Sequence, residues 1–401
     1  MNLLDVVLLL ATAAFAVAGY QRGLVVAVLG LAGFAGGAVV GVWLLPFTLD
    51  LVERGTTAAT AVAVATVLLP AGVGHALLSR LGWALRGSLR RSPVRRLDAL
   101  GGALAGAVAL PLVAWMAASA LVTSPSPQMN QAIRESRVLQ TVHDRMPEQA
   151  PTWFSRATNA LTTAGFPQVF NPFENEPVTG VAEPAGDAVT EAATAAAQRS
   201  SVKVTGVAVV DGRRQGQEGS GFVFAEERVM TNAHVVAGVD RPTVAVGGVG
   251  GALPATVVYF DPDTDVAVLR VAGLDAPALE FAADTGRGDP AVVAGYPGNG
   301  GLDLRAATVA GEVPARGQDI YGTSVVTREI HPLRGTVRPG NSGGPLLTPD
   351  GEVAGVIFAR SASDPDTGYA LTTGQVRRAA EVGGTATSAV DTGDRAARSG
   401  S

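Results

Sequence analysis

Three side chains that can act together in nucleophilic catalysis follow one another in the second half of the chain. They are His234 in MTNAHVV, Asp265 in DPDTDVAVLRV and Ser342 in RPGNSGGPLL. A serine hydroxyl is a poor nucleophile unless a base removes its proton, and histidine titrates in the useful range. A carboxylate can hold that histidine in the correct tautomer and stabilise the imidazolium. The pattern therefore predicts Ser342 as nucleophile, His234 as base and Asp265 as the residue that orients the histidine.

The glycines around Ser342 fit the same chemistry. The backbone N–H groups of Gly340 and Ser342 would point at an oxyanion formed during attack, and each such donor contributes about 3 kcal/mol. Each motif alone also has an ordinary explanation, because His234 could end a strand, Asp265 could cap a turn and Ser342 could lie in one more loop of a chain with 50 glycines. The three motifs in this order favour catalysis over those coincidences.

The elements that would position these residues are β-strands. From about residue 199 the hydrophobic period becomes two, and short β-rich runs alternate with turn signals from SVKVTGVAVV to GYALTT. Eleven or twelve strands are expected, which predicts an all-β sandwich or pair of barrels over 199–382. The segment GQVRRAAEV predicts a closing helix, and 383–401 is predicted to be disordered.

GSGFVF, MTNAHVV, DPDTDVAVLRV and GNSGGPLL together resemble the HtrA/Deg branch of the trypsin-like serine proteases. The resemblance implies a chymotrypsin-like double β-barrel, with His234 and Asp265 in the first barrel and Ser342 in the second. It also implies a serine endopeptidase that needs neither cofactor nor metal. About twenty residues follow the closing helix, so the PDZ domain of HtrA proteases is not expected.

The same resemblance implies where cleavage specificity is set. In this fold the residue six before the nucleophile, Thr336, lies at the base of the primary pocket. The strand VAGVIFA would supply the walls, with Val356, Ile357 and Phe358, and the segment around Gly368 would complete them. Because no charge is present, a preference for uncharged, small to medium side chains is expected. His331, the other histidine of the β region, is expected at the surface or rim.

The first 122 residues have a different composition. Hydrophobic residues make up 47% of the chain and charged residues only 16%, and most of the excess lies in this segment. Buried helices of a soluble protein are the alternative, but almost no polar face would remain to meet water. An all-α membrane domain over 1–122 is therefore expected. Its four apolar stretches are 3–19, 24–45, 58–78 and 97–122. Each is long enough to cross about 30 Å of hydrocarbon.

The distribution of arginines predicts which side of the membrane each connecting segment faces. Six arginines lie between the third and fourth stretches, whereas TLDLVERG, between the second and third, balances acidic and basic residues. Positive charge marks the cytoplasmic side, so everything after residue 122 is expected outside the cytoplasm. A net charge of −5 gives no support to a nucleic-acid partner. The absence of cysteine excludes disulfides and thiolate catalysis.

Glycine recurs every fourth residue in the second and fourth stretches, which predicts close helix packing, either within one chain or between the subunits of a homo-oligomer. His75, in the third stretch, is either a functional group or a packing residue. The repeated glycines are Gly33, Gly37, Gly41, Gly102 and Gly106.

The apolar segment resembles the colicin V production (CvpA-type) membrane domain. A linker over 123–198 follows, with predicted helices over 129–146 and 152–164 and a proline-rich end. The whole arrangement is similar to the membrane-anchored acid-resistance proteases of mycobacteria and their actinobacterial relatives (MarP-type). This resemblance implies a multi-pass protein of the bacterial cytoplasmic membrane with a periplasmic protease domain. Its partners would be the lipid bilayer and envelope protein or peptide substrates, and its role acid or oxidative stress resistance.

Two other functions stay open from the residues alone. The membrane domain could be the working part, as a transport or secretion factor with the β domain as its sensor. The β domain could also be an inactive scaffold that binds peptides. No ion path is visible in the spans, and a binding scaffold has no need of all three catalytic residue types.

Overall fold

The computed structural model describes residues 2–49, 52, 57–87, 92–121, 127–147, 169–170, 176, 180–210, 213–248, 251–361 and 364–393. These residues form an N-terminal helical unit and a C-terminal β-rich unit, and the second unit also takes in residues 169 and 170. The predicted fold class, four apolar helices followed by a β-rich domain, is confirmed. The helix predicted over 152–164 lies outside the described residues.

Four helices of the described chain are long and apolar enough to cross a membrane. The third and fourth extend past the predicted apolar stretches into the arginine-rich segment, because arginine, leucine and alanine all favour helix. Two shorter helices follow. The helices are α1 (Leu3–Arg22), α2 (Leu24–Leu49), α3 (Thr57–Arg86), α4 (Ser92–Leu121), α5 (Pro127–Arg134) and α6 (Arg137–His143).

The repeated glycines lie where helices of one chain touch. A Cβ on Gly33 of α2 would collide with the backbone of Gly74 on α3. A Cβ on Gly102 of α4 would collide with Gly19 on α1 in the same way. Because only hydrogen fits between these backbones, the glycines serve the packing of α2 on α3 and of α4 on α1. The remaining repeat positions make similar backbone contacts: Gly37, Gly41 and Gly106.

His75 belongs to the same α2–α3 contact. Its Nδ1 lies 3.0 Å from the carbonyl oxygen of Gly30 on α2, to which it can donate. The hydroxyl of Ser79, one turn along α3, lies 3.5 Å from its Nε2. The geometry therefore favours the packing interpretation of His75 over a functional one.

The segment after α4 contains two helices, α5 and α6, where one amphipathic helix was predicted over 129–146. The side chain of Ser136 caps α6 and so separates the two. The hydroxyl of Ser136 also donates to the buried carboxylate of Asp5, at the start of α1, over 2.6 Å. Trp115 of α4 stacks on His143 of α6, with ring centroids 6.3 Å apart. Helices α5 and α6 are therefore part of the helical unit, packed against α1 and α4.

The carboxylate of Asp98 connects the four long helices at the ends that lie away from Asp5 and Ser136. Asp98 of α4 accepts a hydrogen bond from the N–H of Val25, at the start of α2, over 3.1 Å. It also pairs with Arg86, at the end of α3, with Nε and Oδ2 2.8 Å apart. Arg86 in turn donates from Nη1 to the carbonyl of Gln21, near the end of α1, over 2.6 Å. The charge of Asp98 also suits the positive end of the α2 dipole.

The β-rich unit contains two seven-stranded antiparallel sheets. The first has the order β5-β4-β1-β2-β3-β7-β6, and the second has the order β10-β11-β14-β13-β12-β8-β9. In the second sheet the edge strand β9 also pairs with β11, the strand next to the other edge, so the sheet curls back on itself. The strands of the first sheet are β1 (Ser201–Val210), β2 (Arg213–Ala225), β3 (Arg228–Thr231), β4 (Thr243–Val246), β5 (Leu253–Pro254), β6 (Thr256–Asp261) and β7 (Val266–Arg270). Those of the second are β8 (Pro290–Gly295), β9 (Asp303–Val309), β10 (Val313–Gln318), β11 (Val325–Arg334), β12 (Pro345–Leu347), β13 (Val353–Arg360) and β14 (Thr367–Thr372).

Three helices accompany the strands: α7 (Glu191–Ser200), α8 (Ala233–Val236) and α9 (Thr373–Thr385). The alanine face of α7 joins the main hydrophobic core, which also holds residues of both sheets and of α9. Residues 383–393 pack on the domain, whereas disorder was predicted from residue 383. Helix α9 continues to Thr385, and Arg228 and Tyr321 then donate to the carbonyls of Ala386 and Thr392. These contacts hold residues 386–393 on the domain.

We expect the contacts of Asp98 to contribute to the stability of the helical unit. Asp98→Ala should destabilise it by about 3 kcal/mol, because the change leaves Arg86 and the start of α2 without their buried partner. Thermal unfolding of the full chain in detergent, followed by helical circular dichroism, measures the effect. Arg80→Ala, which removes an exposed arginine from the same segment, should unfold at the wild-type temperature. An Asp98→Ala protein as stable as that control would contradict the assignment.

Candidate active site

His234 and Asp265 form a buried pair in the first sheet. His234 lies in α8, directly after β3, and Asp265 lies at the head of β7. Their closest contact joins His234 Nδ1 and Asp265 Oδ2 over 2.7 Å, and the His234 backbone N–H donates to Oδ1 over 2.9 Å. With the carboxylate as acceptor, Nδ1 carries the proton and Nε2 is free to accept one. Nε2 is buried and has no hydrogen-bond partner among the described residues.

The backbone at Asp265 is unusual. Its φ is +63°, in the left-handed region that few residues other than glycine adopt. The preceding turn holds it there, since the carboxylate of Asp261 accepts from the N–H groups of Asp263 and Thr264 over 3.0 and 3.2 Å. Asn232 also donates to the Asp265 carbonyl over 2.8 Å. Such backbone strain is concentrated at functional sites, where the surrounding structure maintains it.

Ser342 lies in the loop between β11 and β12 of the second sheet and is 4% exposed. The loop requires glycine on both sides of it. Gly340 has a φ of +97°, and a Cβ there would stand 2.6 Å from the carbonyl oxygen of Tyr296. Gly343 has a φ of +83°, and a Cβ there would collide with the carbonyl of Ser220. The GNSGG pattern is therefore required by the backbone path of the loop.

The backbone N–H groups of Gly340 and Ser342, both in this loop, have no acceptor among the described residues. The carbonyl of Pro339 accepts from the N–H of Gly298 over 3.0 Å. Because the Pro339–Gly340 peptide is trans and planar, the Gly340 N–H points away from that acceptor. In the described part of the chain, neither this N–H nor that of Ser342 donates to another protein group. Two free amides beside a serine hydroxyl can hold a developing oxyanion.

Ser220 of β2 is a site residue that the sequence analysis missed. Its backbone N–H donates to the carbonyl of Ser342 over 2.7 Å. Its hydroxyl donates to the carbonyl of Gly340 over 2.6 Å and accepts from the N–H of Tyr296 over 2.9 Å. The residue is fully buried. Ser220 therefore connects the first sheet to the loop that carries Ser342.

A glycine on each side of Ser220 was the signal that could have identified it. A Cβ on Gly219 would stand 2.7 Å from Val235 and 3.1 Å from the carbonyl oxygen of Ser342. The residue after His234 and the Ser342 loop therefore lie beside each other. No hydrogen bond joins the Ser342 hydroxyl to His234 Nε2. Catalytic hydrogen bonds are often long before substrate binds.

The residues predicted for the specificity pocket do not share one surface. Val356 and Phe358 on β13 are fully buried in the main core, together with residues of the first sheet and of α9. Ile357, between them, faces the opposite side and packs with Val337 in a separate core of the second sheet. Val356 and Phe358 therefore face the main core, on the opposite side of β13 from Ile357. Side chains alternate in this way along a strand.

The other two predicted pocket residues are near the loop that leads to Ser342. Thr336 belongs to this loop and is half-buried. A Cβ on Gly368 of β14 would collide with the side chain of Val337, so Val337 occupies the space above that glycine. Val337 follows Thr336 in the chain and was not predicted.

His331 is buried rather than at a rim, since it is only 2% exposed. It lies within β11, opposite Ala370 of β14. Its Nδ1 lies 2.8 Å from the carbonyl of Gly311, to which it can donate. The expectation for His331 was wrong because β11 has strands on both sides and presents this face to the interior.

Two family models match the chain. The model of the trypsin-like peptidase domain matches residues 219–356, and that of the colicin V production protein matches residues 4–147. The first range contains His234, Asp265 and Ser342, and the second contains α1 to α6.

Curated relatives match either nearly the whole chain or a part of it. Serine protease Rv3671c of Mycobacterium tuberculosis is 37% identical over 390 residues, which cover 95% of this chain and 96% of that protein. The putative serine protease HhoB of Synechocystis is 34% identical over 166 residues, which cover 40% of this chain and 38% of that protein. The crystal structure of the Rv3671c protease in its active form is 40% identical, with a TM-score of 0.52, and covers 57% of this chain and 99% of that one.

The predicted resemblance to trypsin-like and colicin V production domains is confirmed by these matches. The similarity to Rv3671c spans both domains at full length. The fold of the β-rich unit is likewise that of an experimentally determined protease. The chain, which joins a colicin V production domain to a peptidase domain, therefore belongs to the trypsin-like serine proteases, in the family of Rv3671c.

Proposed function

We propose that Ser342, His234 and Asp265 are the nucleophile, the general base and the orienting carboxylate of a serine endopeptidase. The observation that carries this proposal is the buried His234–Asp265 pair, with His234 Nε2 unpaired beside the Ser342 loop. Nε2 takes the proton of the Ser342 hydroxyl as its oxygen attacks the scissile carbonyl. The imidazolium then gives that proton to the leaving amine, and water releases the acyl group by the same steps.

The N–H groups of Gly340 and Ser342 form the oxyanion hole in this proposal. Neither donates to a protein acceptor in the part of the chain that the structure describes, so they can donate to the oxyanion without breaking another bond. Ser220 is a positioning residue, because its hydroxyl fixes the carbonyl of Gly340 and its N–H fixes the carbonyl of Ser342. Donors that are already oriented need no reorganisation when the charge develops.

The primary specificity pocket in this proposal is lined by Thr336, Val337, Ile357 and Gly368. This set keeps Thr336, Ile357 and Gly368 from the predicted residues, adds Val337 and leaves out Val356 and Phe358. None of the four carries a charge, and Val337 fills the space above Gly368. A pocket with these walls would favour a small or medium apolar side chain before the scissile bond, and the discrimination gained from buried methylenes is modest.

The helical unit, in the proposed arrangement, anchors the protease in the bacterial cytoplasmic membrane. The length and apolarity of α1 to α4 support this, with Leu, Val and aromatic side chains exposed along them. The arginines cluster at the end where Arg86 and Asp98 meet, which supports a cytoplasmic position for that end. Exposed Trp43 and Phe47 lie toward the opposite end of α2, where aromatic side chains favour the membrane interface. The protease unit is then extracytoplasmic.

The proposed substrates are proteins and peptides of the cell envelope, and the proposed physiological role is resistance to acid or oxidative stress. Both rest on the resemblance to the MarP-type proteases. We place the boundary of the membrane domain after residue 147 rather than 122, because α5 and α6 pack on α1 and α4. A separate transport function gains no support, since His75 is used in helix packing.

Removing the nucleophile tests the central assignment. Ser342→Ala should lower the rate of casein hydrolysis by the detergent-solubilised full chain by about 10³-fold or more, with the thermal unfolding temperature unchanged. Ser324→Ala, which removes an exposed hydroxyl from the β10–β11 turn, should keep wild-type activity. Hydrolysis by Ser342→Ala at the wild-type rate would exclude Ser342 as the nucleophile.

The role of Ser220 has a kinetic signature. Ser220→Ala should lower kcat about 10-fold and leave KM nearly unchanged, because the hydroxyl acts on the oxyanion hole and touches no substrate. Thr205→Ala is the control, since it removes a hydroxyl from the neighbouring strand that bonds only Thr243. An effect confined to KM, or none at all, would show that Ser220 does not position the loop.

Reporter fusions test the orientation. Alkaline phosphatase, which is active only outside the cytoplasm, should be active when fused after residue 147. The same reporter fused after residue 88, in the arginine-rich connection, should be inactive, because the retained positive charge keeps that connection inside. Green fluorescent protein at the same two positions should give the opposite pattern. Phosphatase activity at residue 88 and not at residue 147 would invert the topology.

A further inference from the structure

A tight turn follows β8 of the second sheet, over residues 297–300. A hydrogen bond from the N–H of Gly300 to the carbonyl of Pro297 closes it over 3.1 Å. Its two central residues, Gly298 and Asn299, have φ values of +59° and +60°. Turns with both central residues in the left-handed region favour glycine and asparagine at these positions. The local sequence therefore determines the shape of this turn.

The 297–300 turn packs directly on the loop that carries the proposed nucleophile. A Cβ on Gly340 would stand 3.0 Å from the Cα of Pro297 and 3.1 Å from the backbone nitrogen of Gly298. The N–H of Gly298 donates to the carbonyl of Pro339 over 3.0 Å. This acceptor belongs to the same peptide group as the Gly340 N–H that is assigned to the oxyanion hole.

The bond to Pro339 sets the direction of that donor. The carbonyl and the N–H of a planar trans peptide point in opposite directions. While Gly298 holds the Pro339 carbonyl, the Gly340 N–H faces the other side of the peptide. Glycine at position 340 would let this peptide rotate at little cost, because glycine adopts many backbone conformations. The neighbouring turn therefore selects the orientation that the loop sequence leaves free.

Strand β1 of the first sheet holds both ends of the turn. Lys203, the only lysine of the chain, donates from Nζ to the carbonyl of Asn299 over 2.7 Å. The donor is an ammonium group, so this bond is charge-assisted. Tyr296, the residue before the turn, is 1% exposed and donates from its hydroxyl to the carbonyl of Ser201 over 3.0 Å. Two positions on one strand thus keep the turn against the loop.

We propose that Lys203 is a positioning residue for the oxyanion hole and acts through the 297–300 turn. This inference rests on the proposed function, because it assumes that the N–H of Gly340 receives the oxyanion. The ammonium group holds one end of the turn, and Gly298 within the turn holds the Pro339 carbonyl. The contacts run from β1 of the first sheet to the oxyanion hole of the second.

This role predicts an effect on the transition state and not on substrate binding. The oxyanion develops only during attack, so a donor that is less well oriented lowers kcat and leaves KM nearly unchanged. The bond between Lys203 and Asn299 is exposed to solvent. Its loss should therefore cost less than the loss of the buried Ser220 hydroxyl.

The test uses the detergent-solubilised full chain, with fluorescein-labelled casein as substrate. Lys203→Met, which removes the ammonium group, should lower kcat about 5-fold and leave KM nearly unchanged. Labelling by a fluorophosphonate–rhodamine probe should slow by a similar factor, because its phosphoryl oxygen takes the place of the oxyanion. Lys203→Arg, which can donate to the same carbonyl, should recover most of the wild-type rate. The control Arg270→Met, which removes an exposed cation from β7 of the same sheet, should change neither rate.

A second pair of variants tests the turn without changing Lys203. The side chain of Asn299 is exposed, but its φ of +60° is costly for a β-branched residue. Asn299→Val should therefore lower kcat at least as much as Lys203→Met. The conservative variant Asn299→Gly adopts this φ without strain and should recover the wild-type kcat. Because both changes act through one turn, Lys203→Met should add little to the loss in Asn299→Val.

Three results would overturn the proposal. They are a wild-type kcat and labelling rate in Lys203→Met, a loss confined to KM, and additive losses in the double variant, which would show that Lys203 and Asn299 act independently. Labelling that persists in Ser342→Ala would instead overturn the proposed function.

Discussion

The hydrogen bonds of Ser220 are the contact on which the catalytic geometry depends. His234 and Asp265 belong to one sheet and Ser342 belongs to the other, so the distance between them is set by how the sheets dock. Ser220 N–H and Oγ bond the carbonyls of Ser342 and Gly340 across that junction. Both bonds are buried, so each would leave an unpaired carbonyl if the sheets moved apart. Glycines on either side of Ser220 permit the approach, and those around Ser342 permit the turn.

The His234–Asp265 pair belongs to the first sheet. Asp265 is held there by a strained backbone and by Asn232, and its carboxylate accepts from His234. The proposed active site is therefore completed by the docking of two sheets, each of which carries part of it. The closing helix α9 and the segment after it reinforce this docking from outside.

The sequence was most informative where chemistry and backbone geometry restrict the residue type. The roles proposed for His234, Asp265 and Ser342 came from residue order and flanking glycines, and the structure places them on the expected elements. The four apolar helices were visible because a membrane-spanning helix needs a long apolar run. The facing of Phe358 was not visible in the sequence because it depends on strand register. Ser220 was missed, although glycines flank it, because its role arises from contacts between distant segments.

The most direct test of the catalytic assignment is the location of a covalent label. When the intact protein is treated with diisopropyl fluorophosphate, the serine oxygen should attack phosphorus and displace fluoride from the reagent. The protein should then carry one diisopropylphosphoryl group. Fragmentation of the labelled peptide by mass spectrometry should place that group on Ser342. Labelling of Ser342 that disappears when the protein is unfolded before treatment would show that the folded site activates the hydroxyl. Complete inactivation with the group on a different serine, or proteolysis that continues with Ser342 fully labelled, would contradict the account.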